Sequence, residues 1–378
     1  MSNKQNSKPS ASDVELNRQD EFKNYWSANP LKICGHIPKL YEWYMGKDVY
    51  PISIEIGLTS LCNHECVWCS IDTKEVPRNE FLSNDLLKQF VHDIKEMEVR
   101  SVVISGSGEQ TLHPQFAHFL RDLKEAGIHI GVNTNGSNLT EPICRSIVEN
   151  ATWIRVSLDG ATEPVRKAVH GSSDLHKAVS GLKMLVALKK ESGRIIPIGT
   201  QMVVCPENEN EIEACTALSS SIGVDYHQIK PVSYFEVYYP KESDIKKIME
   251  KWLNEAVGVS GKFSRDGFSV NLRRDQFLDY TKNDSSKESE TLMPCLTTFS
   301  PYIEADGNVW FCVDKKGADE YWLGNLNKNS LKEIWHGNRR KEVLDYIKEH
   351  PCNHICRNSP LNEFLWEMKN PSPFHDFL

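Results

Sequence analysis

Between residues 50 and 231, short runs of β-branched and apolar residues alternate with longer stretches in which apolar residues recur every three or four positions. The runs are 52–58, 101–105, 128–132, 153–158, 196–204 and 224–229; the helical spacing covers 81–98, 114–126, 139–150, 174–191 and 208–222. Alternation of this kind predicts a parallel sheet of six strands covered by helices, an α/β fold, with Asn84 or Asp85 and Glu207 or Asn208 as helix caps. Within the strands one parity is apolar and the other polar or small. Ile52, Ile54, Ile56 and Leu58 oppose Ser53, Glu55 and Gly57; Ile128, Ile130 and Val132 oppose His129, Gly131 and Asn133; Ile154, Val156 and Leu158 oppose Trp153, Arg155, Ser157 and Asp159. A filled eight-stranded barrel places branched apolar residues inside. Here the apolar parity belongs under the helices, which predicts an open, incomplete barrel whose concave side holds a polar ligand.

After Pro231 the rhythm breaks. Residues 241–257 read as a helix and 279–290 as a polar linker. Residues 291–378 follow as a small α+β unit, with a hairpin over 303–311 turning at Asp306-Gly307 and a helix over 330–349. At the other end, residues 1–20 lack any apolar period and read as a disordered tail, and the aromatic-rich stretch 21–48 reads as an extension packed on the main body.

A length of 378 residues with nine Trp, fourteen Phe and twelve Tyr excludes a small disulfide-stapled scaffold and a wholly disordered chain. A mean hydropathy of −0.47 leaves no room for membrane spans. With 44 basic against 52 acidic residues the net charge is −8, so no global field holds nucleic acid and any anion site is local. The amino-terminal stretch has no apolar signal segment, which predicts a cytoplasmic protein. In that compartment the eleven Cys are thiols, metal ligands or redox groups rather than disulfides.

Cys62, Cys66 and Cys69 form a Cys-x3-Cys-x2-Cys loop directly after the first run, at the carboxyl end of a strand, where α/β folds place ligands. Three thiolates on one loop can take three corners of a cubane cluster and leave the fourth iron open. A structural zinc site normally has four ligands, and neither a fourth Cys nor a well-spaced His completes this one. Ser105-Gly106-Ser107-Gly108-Glu109 follows the second run and Asn133-Thr134-Asn135-Gly136 ends the third. Arg155-Val156-Ser157-Leu158-Asp159-Gly160 spans the end of the fourth. With the cysteine loop, these elements resemble the radical S-adenosylmethionine (SAM) superfamily.

The resemblance implies a partial (β/α)6 barrel that binds a [4Fe–4S] cluster through Cys62, Cys66 and Cys69, together with SAM. It places Gly106, Ser107, Gly108, Glu109, Asn133, Asn135, Arg155, Ser157 and Asp159 around SAM. Ser107 stands where the family usually has glycine, keeping the small size without the freedom at positive φ. Trp68 matches an aromatic position packed near the adenine, or else it shields the cluster. Arg155 is suited to the SAM carboxylate or to a substrate anion. The implied chemistry is one-electron cleavage of SAM to a 5′-deoxyadenosyl radical, with an electron donor such as flavodoxin or ferredoxin as partner; the protein supplies aim and exclusion of water.

Cys295, eleven residues, Gly307, four residues, Cys312 and then Cys352-x3-Cys356 resemble the SPASM and twitch auxiliary-cluster domains, as do Gly324-Asn325-Leu326 and Glu333-Ile334-Trp335. This implies a second, auxiliary [4Fe–4S] cluster on Cys295, Cys312, Cys352 and Cys356. The last spacing is longer than the twitch pattern, so His354 in place of one Cys, or zinc in place of the cluster, stays open. Cys34, Cys144, Cys205 and Cys215 read as buried structural thiols. The implied division is tail 1–20, extension 21–48, barrel 49–235, connecting helix and linker 236–290, and auxiliary-cluster domain 291–378.

Two enzyme classes follow. One acts on a polar hydroxylated small molecule, such as a sugar, nucleotide sugar or aminocyclitol, and ends in oxidation, dehydration or epimerisation. The other modifies peptides and often carries a leader-binding domain ahead of the barrel; only 61 residues precede Cys62, which favours the small molecule. An iron–sulfur carrier or scaffold is a third class, for which the glycine-rich elements are superfluous. Cys205, Tyr226, His227 and Tyr234 are candidate catalytic groups, and Gln228 and Lys230 beside them suit a hydroxylated or phosphorylated ligand.

Overall fold

The six expected strands form in the computed structural model, which describes residues 29–69, 79–233, 235–239, 244–282, 294–351 and 356–376. They are β1 (Ser53–Ile56), β2 (Ser101–Ile104), β3 (His129–Thr134), β4 (Trp153–Ser157), β5 (Ile198–Val204) and β6 (Tyr226–Pro231), each parallel to the next. A seventh parallel strand, β7 (Ser269–Leu272), pairs with β6 inside the stretch expected to be connector. Residues 1–20, expected as a tail, lie outside the described residues.

Helices α1 (Ile37–Tyr44), α2 (Asn84–Glu96), α3 (Phe116–Glu125), α4 (Glu141–Asn150), α5 (Glu163–His170), α6 (Leu175–Ser192) and α7 (Ile212–Ile222) precede the connector. Ser83, rather than Asn84 or Asp85, caps α2 by accepting from Leu86 N. Unexpected from the pattern is α5, two turns long with charged residues that hide its period. The connecting helix is α8 (Ile245–Phe263), and α9 (Arg274–Lys282) takes up the start of the expected linker, of which 283–290 lie outside the described residues.

The apolar parity packs under the helices: Ile54, Ile56, Val102, Ile104, Ile130, Val132, Ile154 and Val156 are fully buried, each worth about 1.5–3 kcal/mol. The other parity lines up across the sheet. One row runs Glu55, Val103, Gly131, Trp153; the next Asn133, Arg155, Gly199, Tyr226, Ser269; a third Ser157, Gln201, Gln228, Asn271. Two glycines admit the aromatic members. A Cβ on Gly131 would stand 2.2 Å from the Trp153 ring, and one on Gly199 2.0 Å from the Tyr226 ring.

Beyond the barrel, β8 (Tyr302–Ile303) pairs in parallel with β1, β9 (Asn308–Trp310) adds antiparallel to β8, and β10 (Trp322–Asn325) adds antiparallel to β9. The result is one sheet in the order β10-β9-β8-β1-β2-β3-β4-β5-β6-β7, so the carboxyl-terminal region covers the β1 edge with backbone pairing. The helix expected over 330–349 is broken at Gly337 into α10 (Leu331–His336) and α11 (Asn338–Glu349). Leu365 of α12 (Ser359–Lys369) packs with Ile33, Leu40, Val49 and Phe299 in a second, smaller core, which seats the described part of the amino-terminal extension. Among the described residues no helix is long and apolar enough to cross a membrane.

Candidate active site at the cysteine loop and barrel lumen

The cysteine loop leaves β1 and crosses the carboxyl ends of its neighbours, to which it is stitched. Glu109 N donates to Leu61 O (2.8 Å), Asn63 Nδ2 to Ser137 Oγ (2.7 Å), Asn135 Nδ2 to Asn63 Oδ1 (3.0 Å), and Glu65 N to His170 O (2.9 Å). Gly108, at φ +92°, lets the loop come close: a Cβ there would lie 2.4 Å from Thr59 O and 2.7 Å from Leu61 O. Gly108→Ala therefore displaces the loop, and the expected outcome is a fall in both thermal stability and iron retained after reconstitution. Unchanged iron content would show that the close approach is dispensable.

Ser107 needs no glycine, since the non-glycine residues at positive φ among those described are Asn79, Glu98 and Asp159. Its Oγ donates to Glu304 Oε1 (2.9 Å) and accepts from Lys316 Nζ (2.7 Å), and Gly106 beside it packs on Tyr302. The Glu109 carboxylate accepts from Thr111 N and Oγ1, Thr134 Oγ1 and Asn135 N at 2.6–3.1 Å. Four donors lock the turn after β3 beside the turn after β2.

Cys62, Cys66 and Cys69 are free thiols. Burial pushes Cys62 up to about 11, and burial, then the charges of Cys69, Asp159 and Cys62, push Cys66 well up. Thiols that oppose one another's ionisation in this way need a cation to become thiolates, the requirement of a soft metal centre. Beneath the loop, His64 Nε2 donates to Asp174 Oδ2 (2.8 Å), which leaves Nδ1 an acceptor. His170 Nδ1 lies 3.2 Å from both His64 Nδ1 and Cys66 Sγ. His170 Nε2 faces Asp159 Oδ2 and Arg166 Nη1, both at 3.0 Å, and the Trp68 ring packs edge-on against His170 at 5.9 Å. Burial holds both histidines below their ordinary range.

Asp159 is fully buried at φ +54°, with Oδ1 accepting from Val203 N (2.5 Å). It thus sits under the loop rather than at the surface a ligand would meet. Arg166, His170 and Asp174 did not emerge from the sequence; the only available signal was a set of charged residues in a short segment after Asp159-Gly160.

The lumen holds the polar rows. Arg155 Nη1 donates to Gln228 Oε1 (2.8 Å) across Gly199, and Ser157 ends β4 above it. Arg357 pairs with Glu55 (2.5 Å), while Arg273 pairs with Asp275 (2.8 Å) and approaches Arg357 O (3.4 Å), so the segment at 357 bridges the open side between β7 and β1. Asn133 Oδ1 and Asn271 Nδ2 are buried with no hydrogen-bond partner among the described residues, as atoms awaiting a ligand or water are. Burial, with Arg155, Arg273 and Arg357 nearby, lowers Lys230 to about 8. A cavity of about 380 Å³ opens instead at the amino ends of β1 and β2, between Pro30, Ser53, Ser101 and Leu361. That is the end of the barrel away from the cysteine loop.

Cys295, Cys312 and Cys356 are also free thiols, close enough for Cys356 to raise Cys312 and for Cys295 to raise Cys356, the latter to about 12 with burial the main cause. Asp314 N donates to Cys312 Sγ (3.4 Å) and Asn358 N to Cys356 Sγ (3.2 Å), the amide contacts that support a ligating thiolate. Cys352 and His354 lie outside the described residues.

The catalytic candidates separate. Tyr226 lies on the lumen face, but His227 points the opposite way, its Nδ1 against Thr200 Oγ1 (2.8 Å) and Ser219 Oγ (3.2 Å) beneath α7; burial lowers it to about 4. Alternation along β6 forbids Tyr226 and His227 from sharing a face. Cys205 is fully buried at the end of β5, beside Glu207 and Tyr239, and its thiol is pushed strongly up by burial. Tyr234 lies outside the described residues. Cys144 and Cys215 are buried as expected; Cys34 is exposed, because its 3₁₀ turn buries Ile33 instead.

A radical SAM superfamily profile matches residues 56–218, and a SPASM iron–sulfur cluster-binding domain profile matches 295–359. The chain is 25% identical over 298 residues to the tungsten-containing aldehyde ferredoxin oxidoreductase cofactor-modifying protein of Pyrococcus furiosus, over 75% of this chain and 80% of that protein. It is 26% identical over 201 residues to a probable GTP 3′,8-cyclase of Saccharolobus islandicus, over 52% of this chain and 63% of that one. Its fold is similar to that of Streptococcus suis SuiB bound to precursor peptide SuiA (TM-score 0.60, 15% identity, 89% of this chain and 73% of that one). The same holds for anSMEcpe with bound AdoMet (TM-score 0.60, 19% identity, 78% of this chain and 83% of that one). Radical SAM domains bind a [4Fe–4S] cluster and SAM, and SPASM domains bind auxiliary iron–sulfur clusters, to which the two groups of free, amide-supported or mutually repelling thiols are suited. From its cysteine loop to its carboxyl-terminal thiols, the chain carries a radical SAM domain, over residues 56–218, and a SPASM iron–sulfur cluster-binding domain, over residues 295–359.

Proposed function

We propose that this radical SAM enzyme abstracts hydrogen from a polar, hydroxylated small molecule held in the barrel lumen, leading to its oxidation, dehydration or epimerisation. The observation that carries the reading is the lumen face, whose rows, apart from Val103, Trp153, Val203 and Tyr226, are polar, charged or glycine where the neighbouring rows under the helices are branched and apolar. Cys62, Cys66 and Cys69 would hold the cluster, and the backbone of Gly106 to Glu109 with Asn135 and Ser157 would border SAM at the strand ends. When bound, the cluster and SAM supply a 5′-deoxyadenosyl radical.

The chain's own residues aim and shield. Trp153 and Tyr226 lie flat over Gly131 and Gly199 and keep water from the lumen wall. Asn133, Gln228 and Asn271 offer hydrogen bonds to hydroxyl groups, and the Glu55–Arg357 pair closes the open side. Cys295, Cys312 and Cys356, with Cys352, would hold the auxiliary cluster. Among the relatives, one is named for modifying a cofactor and another as a GTP cyclase, which supports a small molecule over a peptide. The reading places the enzyme in the cytoplasm with flavodoxin or ferredoxin as electron donor.

Anaerobically reconstituted protein given dithionite and SAM is expected to release 5′-deoxyadenosine, and deuterated hydroxylated metabolites are expected to pass label into it. Release of no 5′-deoxyadenosine would leave only the carrier reading. Label arriving from peptides alone would assign the lumen to a peptide.

A further inference from the structure

We infer that the lumen carries a built site for an anionic group of the substrate, a phosphate or carboxylate, between Arg155 on β4 and Lys230 on β6. The inference rests on the lumen being the substrate site. Five cations face this region or its rim, and three are already neutralised: Arg357 by Glu55 (2.5 Å), Arg273 by Asp275 (2.8 Å) and Lys316 by Glu304 (3.7 Å). Arg155 and Lys230 are different. Arg155 has one hydrogen bond among the described residues, to the neutral Gln228, and otherwise leans over the Trp153 ring at 5.7 Å. Lys230 has no hydrogen bond or ion pair among the described residues. The remaining carboxylate that acts on it, Asp314, stands beside the Cys312 thiol (4.0 Å from Sγ).

The sheet places these two cations together. Gln201 and Gln228 share a row, Arg155 reaches Gln228 from the row below, and Lys230 stands two residues further along β6 on the same face, opposite Val203. Gly199, directly beside Arg155, has no side chain of its own, and the Tyr226 ring fills the space over it. Glu55 acts on Arg155 and Asp314 on Lys230, but neither cation is in an ion pair among the described residues, so the two oppose one another in a partly desolvated cleft and the arrangement is relieved when a ligand brings the negative charge. Burial and the neighbouring Arg155, Arg273 and Arg357 already lower Lys230 to about 8, the direction such crowding demands. Asn271 Nδ2, buried and unpartnered in the row of Gln228, is a further donor facing the same space.

SAM brings a carboxylate of its own, and the test separates it from the substrate anion. Anaerobically reconstituted protein, saturated with SAM, is titrated by calorimetry with inorganic phosphate in one arm and acetate in the other, as wild type, Lys230→Met and Lys230→Arg. The expected result is saturable binding of one anion with SAM present, weakened about tenfold or more in Lys230→Met and restored in Lys230→Arg. The arm that binds identifies the group. Binding that vanishes when SAM is added would assign the cations to the SAM carboxylate and overturn the inference. So would equal binding by wild type and Lys230→Met, binding by neither anion, or Lys230→Arg behaving like Lys230→Met. Release of 5′-deoxyadenosine in the same preparations is scored separately, so failure of the SAM chemistry and failure of the anion site are told apart.

Discussion

Replacing Cys62, Cys66 and Cys69 together with Ala is expected to abolish SAM cleavage and to lower iron from about eight to about four per chain, the content of one remaining four-iron cluster. Burial and mutual repulsion keep Cys62 and Cys66 protonated in the bare protein, so only a cation makes the loop a set of thiolates. Without those sulfurs, His64 and His170 have their outer nitrogens against Asp174 and Asp159 and offer two Nδ1 positions at most. That is too few donors for a cubane. The carboxyl-terminal thiols lie in a separate segment with their own amide donors, so their iron is expected to survive. Iron and acid-labile sulfide counts, with electron paramagnetic resonance of the reduced variant, check this. Loss of all iron, or zinc in its place, would remove the auxiliary cluster from the account.

The largest expected loss of stability comes from Arg166→Met. The guanidinium has no exposed surface; Nε donates to Asp174 Oδ1 (3.2 Å), Nη1 to Ser157 O (2.8 Å) and Leu158 O (3.1 Å), and Nη2 to Asn135 O (2.7 Å). Three carbonyls at the ends of β3 and β4 would lose this donor and the buried Asp174 carboxylate its charged partner, keeping His64 on Oδ2 alone, a cost of about 3–5 kcal/mol. Because Asp174 also orients His64, and Arg166 also meets His170, the cysteine loop should loosen with the fold. A fall of several degrees in thermal midpoint and poorer iron retention are the expected readings. Arg145→Ala is the control: its pair with Glu141 is exposed on α4, and no measurable change is expected. If Arg166→Met melts with the wild type, the network beneath the loop is not what supports it.

How much was legible follows from the range of the interactions. Strand existence, the apolar parity and the cysteine spacings are local properties, and each of the strands β1 to β6, the loop after β1 and the hairpin at Asp306-Gly307 could be read directly. Two elements could not: β7 is enclosed by the charged residues 265–266 and 273–275, and α5 has too few residues for a period to emerge. The helix expected over 330–349 shows the same limit, since a single glycine breaks it without changing its spacing.

Sequence by itself determined that one face of each strand is apolar and the other polar, and that three thiols stand together at a strand end, because both depend only on neighbours in the chain. Tertiary structure alone decided that His227 turns to the core while Gln228 and Lys230 turn inward, that Asp159 and Glu109 spend their carboxylates on the frame, and that Arg357 meets Glu55 across 302 residues of chain. The physical reason is register: hydrogen bonds between parallel strands align residues far apart in sequence. The charge each one meets is then a property of the row it occupies.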